Sequence, residues 1–189
     1  MSTTSITPNP SLAADRAAAT ARRDDLVLGG ATVGMGLLAG LFYGYSCSVM
    51  PGLHDASDQT VVDAMQNINR AIQNPVFFTT FLGAPALAAW AWRNECKRGS
   101  ARARRWIGAG VLLGGLCLLI TGVFNIPLND QLDQAGTPQH LAHAGQLAQV
   151  RDDFETPWVI WNVVRTVATV GAFGCLAYGA RLRLLHRDR

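Results

Sequence analysis

The chain alternates four long apolar blocks with loops that hold almost all of its charge. Residues 26–50 contain no charged side chain over 25 positions. At about 1.5 Å per residue that exceeds the roughly 30 Å hydrocarbon core of a bilayer. Residues 76–92 form a shorter block of 17 with Pro85 inside. Proline cannot make the backbone bond to Phe81, so a kink covered by neighbouring helices is expected. Residues 106–126 are uncharged and end at Asn125 and Pro127, and residues 158–180 are uncharged except for Arg165. The pattern predicts an all-α protein, an integral membrane four-helix bundle over residues 26–183. Residues 1–25 read as a disordered cytoplasmic tail ending in a short charged helix, and residues 184–189 as a cytoplasmic C-terminal tail. The first apolar run is too long and too far along the chain to be a signal peptide.

Two amphipathic outer helices are expected between the spans. In residues 57–73, Val61, Met65, Ile68 and Ile72 recur at helical spacing behind a Ser57 or Asp58 cap, and the pattern stops at Asn74-Pro75. In residues 137–155, Thr137-Pro138 is a start signal, and Leu141, Ala144, Leu147, Val150 and Phe154 continue an apolar face. Pro157 then allows a bend into the last span. Helices of this kind lie on the interface or roof the bundle mouth.

Charge supplies direction. Arg16, Arg22 and Arg23 precede the first span; Arg93, Lys97, Arg98, Arg102, Arg104 and Arg105 fill the second loop; Arg181, Arg183, Arg187 and Arg189 follow the fourth. The first and third loops hold only Arg70 and Arg151. The positive-inside rule therefore expects a multi-pass cell-membrane protein with both termini and the second loop in the cytoplasm. Asn74, Asn125, Asn129, Asn162 and Arg165 then fall in one layer at the outer ends of the spans. The mean hydropathy of +0.16 and pI near 8.9 fit apolar spans joined by loops that touch anionic lipid. No aromatic-interleaved basic stripe suggests nucleic acid as a partner. Cys47, Cys96, Cys117 and Cys175 share no disulfide or zinc spacing. Gly36, Gly40 and Gly44, and Gly110 with Gly114, read as small-residue tracks for close helix packing.

Two constellations carry candidate chemistry. In Phe124-Asn125-Ile126-Pro127-Leu128-Asn129, the proline opens the helix end where two amides, one turn apart, can turn inward; capping of a frayed end is the alternative. Trp158, Trp161, Asn162 and Arg165 share one helical face. A fixed cation beside aromatic rings suits a planar oxyanion such as a phenolate or enolate. For Trp158 the alternative is the interfacial aromatic belt, and for Arg165 it is snorkelling or pairing with Asp130. Asn69, Arg70 and Asn74 add polar groups near the same mouth, with solvation as the alternative. His54 is a candidate general base over the cavity. His140 and His143 stand three apart on one expected helix, as a solvated pair or as part of a metal site with an unspecified third ligand.

Residues 26–183 resemble the anthrone oxygenase family of small four-helix membrane proteins, and the first 25 residues lie outside the resemblance. The resemblance is carried by Val49-Met50-Pro51-Gly52-Leu53, Met65-Gln66-Asn67-Ile68-Asn69-Arg70, Asn74-Pro75, Val123 through Asn129, and Trp158 through Thr166. It implies oxidation of an anthrone-type polyketide to an anthraquinone with dioxygen as co-substrate, and without metal or flavin, in secondary metabolism such as antibiotic biosynthesis. On that reading Arg165, Asn125 and Asn162 are catalytic, holding an oxyanion. Asn129, Trp161, Asn69, Arg70, Asn74 and His54 then line the site of a small aromatic substrate. A non-enzymatic membrane protein, a transporter accessory or assembly factor with a polar outer pocket, is the other class the residues allow.

Overall fold

In the computed structural model, residues 10–136 and 144–187 are described. Helix α1 runs Pro10–Gly44 and continues through a π-turn, Tyr45–Val49, into the short α2, Met50–His54. Helix α3 spans Asp58–Ala71, α4 Pro75–Arg98 and α5 Ala101–Ile120. A second π-turn, Thr121–Asn125, leads into α6, Ile126–Gln134, and α7 spans Ala144–Arg187. Four helices are long and apolar enough to cross a membrane, Ala14–His54, Pro75–Lys97, Ala101–Gln134 and Gly145–His186, and each contains one of the apolar blocks.

The spans form a ring in which α1 packs on α4 and α7, and α5 packs on α4 and α7. Leu28, Ala31, Met35, Leu38 and Phe42 of α1, at alternating steps of three and four, form the seam of the core. They meet Phe81, Ala84, Ala88 and Ala91 of α4, Ile107 and Cys117 of α5, and Ala172 and Leu176 of α7. The outward faces carry Leu37, Leu112 and Val167, each more than 60% exposed, which is the surface expected against lipid tails. Close approach depends on small residues: a Cβ on Gly34 would lie 2.7 Å from that of Ala84, and one on Gly114 2.8 Å from the Met35 methyl. Gly110 is likewise pressed by Leu176, so the α5 glycines pack as expected. In α1 the tight positions are Gly34 and Gly36, where at the latter a Cβ would lie 3.2 Å from the Phe173 ring, whereas Gly40 and Gly44 have open space.

The ends depart from expectation in three ways. Helix α1 covers residues 10–25, so the described part of the expected tail is helical throughout rather than only in a short charged helix at its end. The second outer helix is not separate: Pro157 lies inside the continuous α7, whose first turns form the outer extension, while the proposed Thr137 cap lies outside the described residues. Polarity is also not confined to one end. Arg183, buried at the far end of the bundle, faces Asp24 at 3.6 Å, Asp25 at 3.3 Å and Glu95 at 3.6 Å.

At the opposite end a second apolar cluster, Met50, Val62, Met65, Leu132, Phe154 and Trp158, packs α3 across α6 and the outer part of α7. Of the two placements open to the α3 stripe, the helix takes the one over the bundle end. Gln66, buried on that helix, donates to the carbonyls of Leu132 at 2.8 Å and Gly136 at 2.9 Å, closing the end of α6 where Gly136 takes φ +90°. Arg151 holds the same layer from the side, reaching Asp58, Glu155 and the carbonyls of His54 and Ala56.

Candidate functional site

Arg165 is 6% exposed and faces the bundle interior. Its Nη2 donates to Asn162 Oδ1 at 2.9 Å and its Nη1 to Thr121 Oγ1 at 3.3 Å. The guanidinium carbon lies 4.4 Å from the centroid of Phe42 and 5.6 Å from that of Trp158. Among the described residues no carboxylate pairs with it, and its Nε has no hydrogen-bond partner. Neither snorkelling nor an Asp130 pair accounts for this side chain. Desolvating an unpaired cation costs several kcal/mol in round numbers, only partly offset by two neutral acceptors and two ring faces.

Asn162 organises the cation. Its Oδ1 accepts from Arg165, and its Nδ2 donates to the carbonyl of Phe42 at 3.0 Å and to Ser46 Oγ at 2.9 Å. Thr166, one turn on, meets Ser46 at 3.2 Å. All of its hydrogen-bonding atoms are therefore engaged in fixing α1 and Arg165. Asn125 is the opposite case. It is 1% exposed, and among the described residues neither its Oδ1 nor its Nδ2 has a partner. A buried polar atom left unpaired costs about 1–3 kcal/mol, and here one side chain carries two.

Both neighbouring spans are locally unwound at this level. In the first π-turn the N–H of Met50 bonds the carbonyl of Tyr45, and in the second that of Ile126 bonds Thr121. Each turn is followed by a proline, Pro51 and Pro127, six positions after its first residue. A proline nitrogen cannot bond the carbonyl four residues back, and its ring crowds that turn. A one-residue widening relieves the crowding. The helix therefore continues through Asn125 into α6 rather than fraying, and the first turn presents Ser46 while the second presents Thr121 and Asn125. Single π-turns inside helices occur frequently at functional sites.

Beside this cluster, a groove of about 520 Å³ lies between the end of the first span and the outer half of α7. Its lining runs from Ser46 past Met50, Val159 and Ile160 to His54, Arg151 and Glu155. Ser46 is thus shared between the groove and the buried Asn162–Arg165 pair.

The other sequence-derived residues separate into groups. Asn129 accepts from Trp158 Nε1 at 2.9 Å, and so positions the indole over Arg165. Trp158, 4% exposed, is not a belt residue; the tryptophan beside the cation is Trp158, not Trp161. Trp161 stacks instead on Phe124, with centroids 3.6 Å apart. Asn69 is half-buried with an unpartnered Nδ2. Arg70 does not enter the site: it is exposed and pairs with Asp133, its Nε at 3.0 Å. Asn74 is the N-cap of α4, accepting from the Phe77 N–H at 3.0 Å and donating to the Ala71 carbonyl at 2.9 Å. His54 is exposed at the groove rim, with Nδ1 2.9 Å from Glu155 Oε1. His140 and His143 lie outside the described residues. Phe42, Ser46 and Thr121 were not anticipated; their polar atoms fall at i+4 spacing along each span, a pattern that local back-bonding to the helix also explains.

Comparison with known families supplies the decision. The anthrone oxygenase family model matches residues 65–175, well over half of the chain. The chain belongs to the anthrone oxygenase family. No curated protein and no solved structure matches it. The anthrone oxygenase segment takes in Asn69, Asn125, Asn129, Trp158, Asn162 and Arg165, while Phe42, Ser46 and His54 lie before it. The family portion thus holds the cation and the unpaired amide, and the first span supplies the ring and hydroxyl that close over them.

Proposed function

We propose that this protein is a membrane-bound oxygenase that converts an anthrone-type aromatic polyketide to the corresponding quinone. One observation carries the reading: a buried arginine that pairs with no carboxylate among the described residues donates to Thr121, one turn before a buried asparagine whose amide has no partner among them. An anthrone methylene lies between two aryl rings and is conjugated to a ketone, so loss of one proton gives a phenolate-like anion. Arg165 and Asn125 hold the developing oxyanion, and Asn162 keeps the guanidinium aimed at it. Trp158 and Phe42 provide the aromatic surface for a planar ring system.

The reaction needs no external reductant. The carbanion carbon bonds to dioxygen, its second hydrogen leaves as a proton, and O–O cleavage gives a carbonyl and water, so that R₂CH₂ + O₂ yields R₂C=O + H₂O. His54, oriented by Glu155 at the rim of the groove that reaches Ser46, is the group assigned to accept the substrate proton. The substrate enters along that groove from the outer leaflet, with both termini of the chain in the cytoplasm. A role in secondary metabolism, including antibiotic biosynthesis, follows from the substrate class.

The test is incubation of membranes containing the protein with an anthrone, with and without dioxygen and with and without a chelator. Oxygen-dependent formation of the quinone, identified by mass and unaffected by chelation, is the expected result. Loss on chelation would instead promote His140 and His143 as metal ligands, and no conversion of any anthrone would favour a non-enzymatic binding role.

A further inference from the structure

At the end of the bundle opposite Arg165, α4 and α5 leave a groove of about 520 Å³ open to the lipid side. Its floor is made by Gly108, Ala109, Val111 and Leu112, the last 76% exposed. Trp92 forms one wall. A Cβ on Gly108 would lie 2.8 Å from the indole Nε1, so the glycine is what lets the ring edge rest on α5. Arg104 and Arg105 stand at the mouth, both exposed. Between residues 93 and 106 the chain has one carboxylate, Glu95, and that group is buried against Arg183 and the Ser100 N–H. The two arginines at the mouth therefore have no anionic neighbour of their own on this segment.

We propose that this groove is a binding site for an anionic phospholipid. One acyl chain lies along Gly108, Ala109 and Leu112, where small residues make room beside the indole. The phosphate sits between Arg104 and Arg105. Charge complementarity selects the occupant: an apolar trough that ends at two guanidinium groups with no ion pair among the described residues fits a molecule with an apolar tail and a negative head, and a zwitterionic lipid loses much of that attraction. The assignment is independent of the oxygenase reading, because none of these residues belongs to the Arg165 cluster.

The experiment uses the full chain in detergent micelles, titrated with phosphatidylglycerol or phosphatidylcholine carrying dibrominated acyl chains that quench nearby indoles. The difference between the natural chain and Trp92→Phe isolates the Trp92 signal from the other four tryptophans. Half-maximal Trp92 quenching is expected at a mole fraction of phosphatidylglycerol on the order of tenfold lower than of phosphatidylcholine. Arg104→Gln/Arg105→Gln should abolish that preference, while Arg93→Gln/Lys97→Gln, which removes equal charge from the same loop, should keep it. Equal quenching by both lipids, or a preference lost equally in both double variants, would overturn the proposal in favour of general attraction to a basic surface.

Discussion

Arg165 donates to Asn162 Oδ1 at 2.9 Å, three residues back on its own helix, and among the described residues no carboxylate pairs with it. The other buried arginine, Arg183, has three. The two differ in what removal should do. Arg183→Gln leaves Asp24 and Glu95 buried without a cation and should destabilise the bundle by about 3–5 kcal/mol. Arg165→Gln removes an uncompensated charge and should change stability by no more than about 1 kcal/mol, in either direction. Thermal unfolding in one detergent compares them; equal losses would mean that Arg165 is a structural residue.

Asn125 gives a sharper version of the same contrast. Because both atoms of its amide are buried and without a partner among the described residues, Asn125→Leu should leave stability unchanged or raise it by about 1 kcal/mol, while activity falls by about tenfold or more. A clear drop in the unfolding temperature would show that the amide has a structural partner.

The tryptophans should separate. Trp158→Phe loses the bond to Asn129 and the wider ring over the guanidinium, lowering stability by about 1 kcal/mol along with turnover. Trp161→Phe keeps an aromatic stack on Phe124 and should leave kcat/KM within about twofold. A double-mutant cycle of Trp158→Phe with Asn129→Ala should show coupling of about 1 kcal/mol. Additive losses would contradict the positioning role given to Asn129.

Arg151 ties the connection between α2 and α3 to the outer part of α7 through three acceptors, the carbonyls of His54 and Ala56 and the Asp58 carboxylate. In Arg151→Gln, amide exchange in α3 should rise, while that of the core seam from Leu28 to Phe42 stays unchanged. Uniform acceleration in both would mean that the roof and the bundle unfold as one unit.

The spans were legible because an uncharged run of 20 or so residues has few other uses, and the α3 stripe because its period is unmistakable. The start of α1 and the continuity of α7 were not. Alanine-rich charged segments read as tail or helix alike, and Pro157 is tolerated because the carbonyl it cannot bond belongs to Asp153, an exposed residue of α7. Within the site, the face of α7 predicted Arg165 with Asn162, yet a helical face is about 100° wide, and spacing cannot say which tryptophan sits at its centre. The π-turns decided more than any single side chain. Their signal was two prolines at matching places in the first and third spans, Pro51 and Pro127, and the turn shifts every later residue of those spans around the helix axis. Arg70 and Asn74 were misplaced for a simpler reason: a loop cation and a pre-proline asparagine have nearby local partners, Asp133 and the first turn of α4.

The most direct test of the account is the rate of dioxygen-dependent quinone formation by Arg165→Gln, measured beside its unfolding temperature. The account predicts a fall in kcat of about 10²–10³ with the unfolding temperature held. Turnover within a few-fold of the unaltered protein, in a variant shown to be folded, would contradict it.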